Sequence, residues 1–372
     1  MRTKLVSILV MLSFLLASCG GAATPTEAPA VEEAPAAEAP AAEEAPAAEG
    51  TEEVVLTLGS WRVDDVDEWN LIIAAFNAEY PNITVNFDPT NPPDYNAALR
   101  TQLETGTGPD LFYARSFATG VELYESGYLA KLNDLPGLSD AVTDENNGPW
   151  MNTAGDKFAV PIAAVSHGIY YNMDLFEANG IEVPATWEEL MAAAETIKNA
   201  GLMPFANGTK DVWDINEVVF QALVPNNIGG YDGRMAYQNG TRCVNDANMV
   251  AAFQQVLDLA PYLPDGFSAV SYYDGQQLFT QGLAAMYFDG SWSIGAFEAD
   301  EPEFAWSVFA VPPAEGKAQN VTFHMDAAIG MNPATENPEA AQVFLSWLLT
   351  EKFGEVFGNN VPGFFPVSKN VP

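Results

Sequence analysis

Apolar positions along the chain fall into two alternating periods. Val54-Val55-Leu56-Thr57-Leu58 is a short apolar run of strand type, and after it Trp69, Ile72, Ile73, Phe76 and Tyr80 recur at helical spacing. Residues 83–87 read as a second strand, 95–103 as a second helix, and 110–114 as a third strand behind Gly108-Pro109. Strand, helix, strand, helix, strand in that order builds a parallel sheet, so the predicted class is α/β. The pattern continues with strands at 158–162 and 168–171, then a helix from Thr186, where Thr186-Trp187-Glu188-Glu189 has capping-box spacing, to Asn199. Further apolar segments at 213–223, 248–260, 274–281 and 304–309, with a strand at 284–288, belong to a second body. Ala327 to Met331 is a short strand, and 338–349 carries Ala341, Phe344, Leu345 and Leu348 at helical spacing. At 372 residues the chain exceeds one ordinary core, and two lobes are expected.

The first fifty residues do not follow either period. Arg2 and Lys4 precede an apolar stretch from Leu5 to Leu16, too short for the roughly 20 residues that span a bilayer, as in a secretory signal. Leu16-Ala17-Ser18-Cys19-Gly20 resembles a lipobox, which implies a lipid-modified Cys19 as the mature N-terminus. Residues 20–53 hold thirteen Ala, nine Glu and five Pro with no Lys or Arg. Such a segment has too little apolar surface to order itself and reads as an extended tether.

Charge narrows the chemistry. Fifty acids against 14 bases give a formal charge of −36, a field that repels phosphate backbones, so nucleic acid is excluded as a partner. Nine of those acids and two of the bases precede Val54, leaving 41 and 12 in the body. With only two Cys, one of them in the lipobox, and two His, the chain has little to build structural zinc sites or His-based triads from, and no metal or other cofactor is expected. Cys243 is expected to be a buried small hydrophobe.

In an α/β sheet, ligands sit beyond the carboxyl ends of the strands. That rule selects loops at 59–65, 113–118, 164–168, 289–293 and 322–326, which should converge on one cleft. They carry Trp61, Arg62, Asp64, Tyr113, Arg115, Ser166, His167, Asp289, Trp292 and Asp326 as candidate ligand contacts, with Phe323 and His324 beside them. Carboxylates, guanidinium and imidazole suit bidentate hydroxyl recognition, and indole or phenol rings suit the C–H faces of sugars. Arg62 and Arg115 have a plainer alternative as partners of nearby carboxylates, and Trp61 and Trp292 as packing. Asp110 reads as structural. No G-x-S-x-G, H-E-x-x-H, P-loop or dinucleotide fingerprint occurs, and no catalytic residue is assigned.

Several segments together resemble a known family. They are Gly106-Thr-Gly-Pro-Asp110-Leu-Phe, Leu123-Tyr-Glu-Ser-Gly127-Tyr-Leu-Ala-Lys-Leu132, the run from Phe158-Ala-Val-Pro161 through Tyr170-Tyr-Asn172 to Thr186-Trp-Glu-Glu-Leu190, and Ala284-Ala-Met286-Tyr-Phe-Asp-Gly290-Ser-Trp292. Ala328-Ile329 before Asn337-Pro-Glu-Ala-Ala341 completes the set. In these the chain is similar to the family 1 extracellular solute-binding proteins of bacterial ABC importers, the sugar-binding, maltose-binding-protein-like group. The resemblance implies a two-lobed periplasmic-binding-protein-like (type II) fold, divided as signal 1–18, linker 19–53, N-terminal lobe 54–165 plus 321–350, and C-terminal lobe 166–320 plus 351–372. It implies a monomer that captures a mono- or oligosaccharide between closing lobes and delivers it to ABC permease subunits, lipid-anchored at the extracellular face of the cytoplasmic membrane, or periplasmic where an outer membrane exists. The family's stacking aromatic falls on Trp292 and its polar contacts on Ser166 and His167. Members usually continue some tens of residues past the segment like Val361 to Pro366, so a truncated C-terminus is expected. Alternatives are a binding protein for a sugar acid or a secreted glycan-active lipoprotein enzyme.

Overall fold

The computed structural model describes residues 53–371. The signal, Cys19 and nearly all of the linker lie outside the described residues. Nine strands are described: β1 Val54–Ser60, β2 Ile83–Pro89, β3 Leu111–Tyr113, β4 Val160–Asn172, β5 Met203–Phe205, β6 Ala284–Gly290, β7 Trp306–Phe309, β8 Phe323–Met331 and β9 Phe365–Pro366. They run in the order β2-β1-β3-β8-β4-β6-β5, with β7 and β9 also pairing on β4. β1 is parallel to both β2 and β3, as the helical crossovers Val66–Glu79 and Pro92–Thr105 between them require.

The two lobes are visible as separate cores joined through β4 and β8. One core gathers Leu56, Leu58, Trp69, Phe76, Phe112 and Val160 with Ile329 and Phe344. Beyond Val165 the chain enters a second body whose sheet is covered on both faces. Ile169, Leu190, Phe205 and Met286 pack on one side, and Tyr170, Phe279, Tyr287 and Phe297 on the other. Ile169 and Tyr170 are neighbours on β4, and the period-2 alternation of a strand sends them to opposite layers.

Local chemistry fixes several elements where the sequence places them. Thr186 accepts the Glu189 amide while the Glu189 carboxylate accepts the Thr186 amide, the reciprocal capping box that starts helix Trp187–Asn199. Asp110 is structural: Oδ2 accepts from the amide and hydroxyl of Thr57 at 2.8 Å each, and Oδ1 accepts from Thr335. It ties β1, β3 and the segment after β8 together.

Four expectations change. The strands predicted at 158–162 and 168–171 are one 13-residue strand, β4, which pairs with β8 over its first half and with β6 and β7 over its second. A register shift between Pro161 and Ala164 falls within its ladder with β8, and the partner changes only after Ser166. The predicted loops 164–168 and 322–326 are therefore mostly strand. The segment 351–372, expected in the C-terminal lobe, packs with the first core through Phe353, Phe357, Val361 and Phe364, because Phe353 meets Trp347 and Phe357, one helical turn on, packs against Phe353. Cys243 is exposed, in the turn before helix Ala247–Leu259, and buries nothing. No helix among the described residues is long and apolar enough to cross a membrane.

Candidate functional site

The five predicted segments do meet. Arg62 Nη2 after β1 donates to the Trp292 carbonyl after β6 at 3.3 Å, and the Ser166 amide on β4 donates to Ser291 Oγ at 3.0 Å. Ser291 Oγ in turn donates to the carbonyl of Gly363, and His167 of β4 meets His324 of β8. Arg115 after β3 lies with its guanidinium 3.8 Å from the Trp61 ring.

Several candidates turn out to support the wall instead of facing a ligand. Trp61 is 6% exposed; Tyr95 and Tyr113 abut it edge-on at 5.5 and 5.1 Å, and Arg115 covers a ring face. A sugar has no free Trp61 face to stack on. Tyr113 is 2% exposed, with its ring against Trp61 and Trp69 and its carbonyl accepting from Tyr95 Oη at 2.7 Å. Arg62 is buried and closed by its own helical turn: Nε and Nη2 donate to the two oxygens of Asp65 at 2.6 and 2.7 Å, and Phe364 lies 5.0 Å from the guanidinium carbon. Burial works against its charge, but the Asp65 carboxylate outweighs it and holds the proton more firmly than usual. Asp289 is fully buried, and burial raises its carboxyl to about 7 despite hydrogen bonds from Ser293, Gly290 and Tyr272.

His167 is also buried. Its Nε2 lies 3.0 Å from His324 Nε2, its Nδ1 lies 3.3 Å from the Val218 carbonyl, and His324 Nδ1 lies 3.0 Å from the Met325 carbonyl. Burial, then the neighbouring His324, lowers its pKa to about 3, so His167 is neutral at ordinary pH. Of the pair, His324 is the more exposed member.

The candidates left at least partly exposed are Arg115, Asp64, Ser166, Asp326 and Trp292. Arg115 uses only Nε, donating to Asn96 at 3.1 Å; its Nη atoms have no hydrogen-bond partner among the described residues. Burial lowers its pKa, while Asp326 of β8 and Glu217 of the second lobe act the other way. The Trp292 indole is fixed by Nε1 donating to Tyr272 Oη at 2.8 Å, and a Cβ on Gly290 would fall 2.0 Å from its ring.

The sequence reading missed a second-lobe wall. Trp213 packs against Tyr272 with ring centroids 4.6 Å apart and planes tilted by 46°, and its Nε1, like Tyr273 Oη, is buried without a hydrogen-bond partner among the described residues. Trp69 Nε1 in the first core is orphaned in the same way, so these two donors gain meaning only from their place beside Tyr272 and Trp292. The preceding Val212 adopts φ +64°, a strained conformation for a β-branched side chain, and Asp214 to Phe220 form a π-helix, two irregularities that cluster at functional sites. Asp214 itself is 2% exposed, and burial lifts its carboxyl to about 6. The carboxyl-end rule applied to β5 would have led to Trp213, and the Ser271 cap of helix Tyr272–Thr280 would have marked the tyrosines.

No group of three or more His, Cys, Asp and Glu among the described residues is arranged to hold a metal. The aromatic and hydroxyl-seeking groups at the opening suit a polyhydroxylated ligand.

Comparison with known proteins agrees with this picture. The family model for bacterial extracellular solute-binding protein matches residues 62–355. The multiple sugar-binding protein of Streptococcus mutans is 25% identical over 316 residues, covering 78% of this chain and 70% of its own. The xylose/arabinose-binding protein XacG of Haloferax volcanii is 26% identical, covering 81% of this chain and 66% of its own. Among solved structures, a chitin oligosaccharide binding protein superposes with a TM-score of 0.72 at 26% identity, covering 86% of this chain and 82% of that one.

Proposed function

The chain belongs to the bacterial extracellular solute-binding protein family, and from that premise we propose that it captures a carbohydrate between its two lobes and hands it to the permease subunits of an ABC importer. It acts as a monomer on the outer side of the cytoplasmic membrane, held by a lipid on Cys19. Relatives named for multiple sugars, xylose or arabinose, and chitin oligosaccharides support the ligand class. The observation that carries the reading is the partly exposed indole of Trp292, pinned by Tyr272, beside the unpartnered donors Trp213 Nε1 and Tyr273 Oη. A ring for C–H stacking with hydrogen-bond donors around it is what a sugar requires.

Arg115, Ser166, Asp64 and Asp326 complete the polar contacts, with His167 acting through His324. Asp326 and Glu217 flank Arg115, which favours neutral hydroxyls over a sugar acid. Bound sugar leaves chemically unchanged.

Isothermal titration against a panel of neutral mono- and oligosaccharides, together with mass spectrometry of ligand retained on purification, tests the proposal. Saturable heat with at least one sugar, recovered intact, is the expected result. Heat only with a peptide or metal, or recovery of cleaved sugar, refutes it.

A further inference from the structure

Asp289 is fully buried, has no ion pair among the described residues, and touches no opening of the cleft. Its surroundings nevertheless form one closed hydrogen-bond cluster that ends on Trp292. We propose that Asp289 is the positioning residue of the cleft: its ionised carboxylate, acting through the Tyr272 hydroxyl, holds the Trp292 indole in its binding orientation and releases it on protonation. This rests on the reading of Trp292 as the ligand-stacking ring.

The argument is a count of protons and lone pairs. Tyr272 Oη accepts from Trp292 Nε1 at 2.8 Å and from Gln276 Nε2 at 3.0 Å, which uses both acceptor positions of a hydroxyl. Its single proton is left for Asp289, whose Oδ2 lies at 3.1 Å. Ser293 Oγ donates to the same Oδ2 at 2.6 Å and accepts the other Gln276 hydrogen at 3.1 Å. The Gly290 amide donates to Oδ1 at 2.8 Å. With Asp289 ionised, every hydrogen in the cluster has an acceptor.

Adding a proton to the carboxyl breaks that balance. The new hydrogen must go to Tyr272 Oη or to Ser293 Oγ. Tyr272 has no vacant lone pair, so accepting it displaces either Gln276 or the indole. Ser293 can accept it only by redirecting its own proton to Tyr272 Oη, 2.9 Å away, with the same result. Either route loosens the one hydrogen bond that the Trp292 indole makes among the described residues.

The ionisable groups facing the carboxyl leave it as the titrating member. Tyr272 from helix Tyr272–Thr280, Tyr170 from β4 and Tyr287 from β6 are all pushed well above the usual phenol value, first by burial and then by Asp289 itself. Asp214 acts on Tyr287, and Arg62, already paired with Asp65, acts on Tyr272. Burial raises Asp289 to about 7, which puts the change within the range where an external binding protein works.

The test needs no sugar. Protein labelled with 5-fluorotryptophan gives eight fluorine signals, and Trp292→Phe identifies the one of interest. Between pH 5.5 and 8.5 the Trp292 signal is expected to titrate with a midpoint near 7 in the wild type. It should stay flat in Asp289→Asn and in Tyr272→Phe, which keeps the ring packing if the first variant folds poorly. His167 touches Trp292 edge-on at 5.2 Å, so His167→Gln is included and should keep the titration. A wild-type signal that does not move, or one that still titrates in Tyr272→Phe, overturns the proposal. Failure of the Trp292 reading shows separately, as unchanged carbohydrate affinity in Trp292→Ala.

Discussion

Replacing Arg62 with methionine is expected to destabilise the protein strongly, although Arg62 is buried and lies on no exposed surface. Methionine keeps most of the side-chain volume and removes the charge. Asp65, 8% exposed, then loses both bonds of a bidentate pair at 2.6 and 2.7 Å, and no other side chain among the described residues replaces them. Stranding one charge of a buried pair is worth about 3–5 kcal/mol, most of it the desolvation penalty of the orphaned ion. The bond from Nη2 to the Trp292 carbonyl is long, 3.3 Å, and adds roughly 1 kcal/mol at most. Urea unfolding at pH 7, followed by tryptophan fluorescence and far-UV circular dichroism, should show the midpoint shifted down at unchanged m-value. The double variant Arg62→Met, Asp65→Leu removes both charges and should recover to within about 1 kcal/mol of wild type, since apolar replacement of a whole buried pair is often neutral. A single variant that costs less than about 1 kcal/mol, or a double variant no better than the single, would show that the pair is not closed off from water as described.

Other outcomes follow from the same geometry. Trp292→Ala should weaken carbohydrate binding by about 1–3 kcal/mol in isothermal titration, the range for a buried aromatic anchor, and an unchanged Kd would reassign the ring to packing. Gly290→Ala places a methyl 2.0 Å from the Trp292 ring; a 10-fold or greater loss of affinity with little change in unfolding midpoint is expected, and equal affinity would mean that the indole is free to move. Stability against pH should reflect two opposed groups. Asp289, raised from 3.8 to about 7, contributes stability that is complete below about pH 4 and lost as pH rises toward 7. His167, lowered from 6.5 to about 3, contributes stability that is complete above about pH 6.5 and lost as pH falls toward 3. Between these limits Asp289→Asn should steepen the loss of stability on acidification and His167→Gln should lessen it, both read from urea midpoints; parallel profiles for both variants and wild type would contradict the assignments.

Much of the scaffold was legible because it depends on local chemistry. The βαβ order before Tyr113, the Thr186 cap and the structural Asp110 each follow from residues close in sequence or from a strongly periodic pattern. The convergence of five segments was legible from the carboxyl-end rule. The facing of side chains within them was not. Arg62 reads as a scarce cation in a ligand loop until the i+3 carboxylate of Asp65 is seen to fold back on it. Trp61 reads as a stacking platform until Arg115, 54 positions away, covers it. Asp289 lies in the predicted segment but points into the second lobe, because strand alternation puts Gly290, not Asp289, next to the indole. The continuity of β4 was hidden because Ala163 to His167 lacks a clear period, and its partners lie more than a hundred residues downstream. Trp213 was missed because its strand, β5, is only three residues long.

That continuity has a mechanical side. A strand laddered to β8 at one end and to β6 and β7 at the other has its register set twice over, so a slip in one lobe would break pairing in the other. The lobes are coupled like two leaves sewn to one spine: they can pivot, but they cannot slide along it. The level at which one lobe faces the other is therefore written into the stitching of β4, in the pairing of Ser166 with Phe323 and of His167 with Gly290.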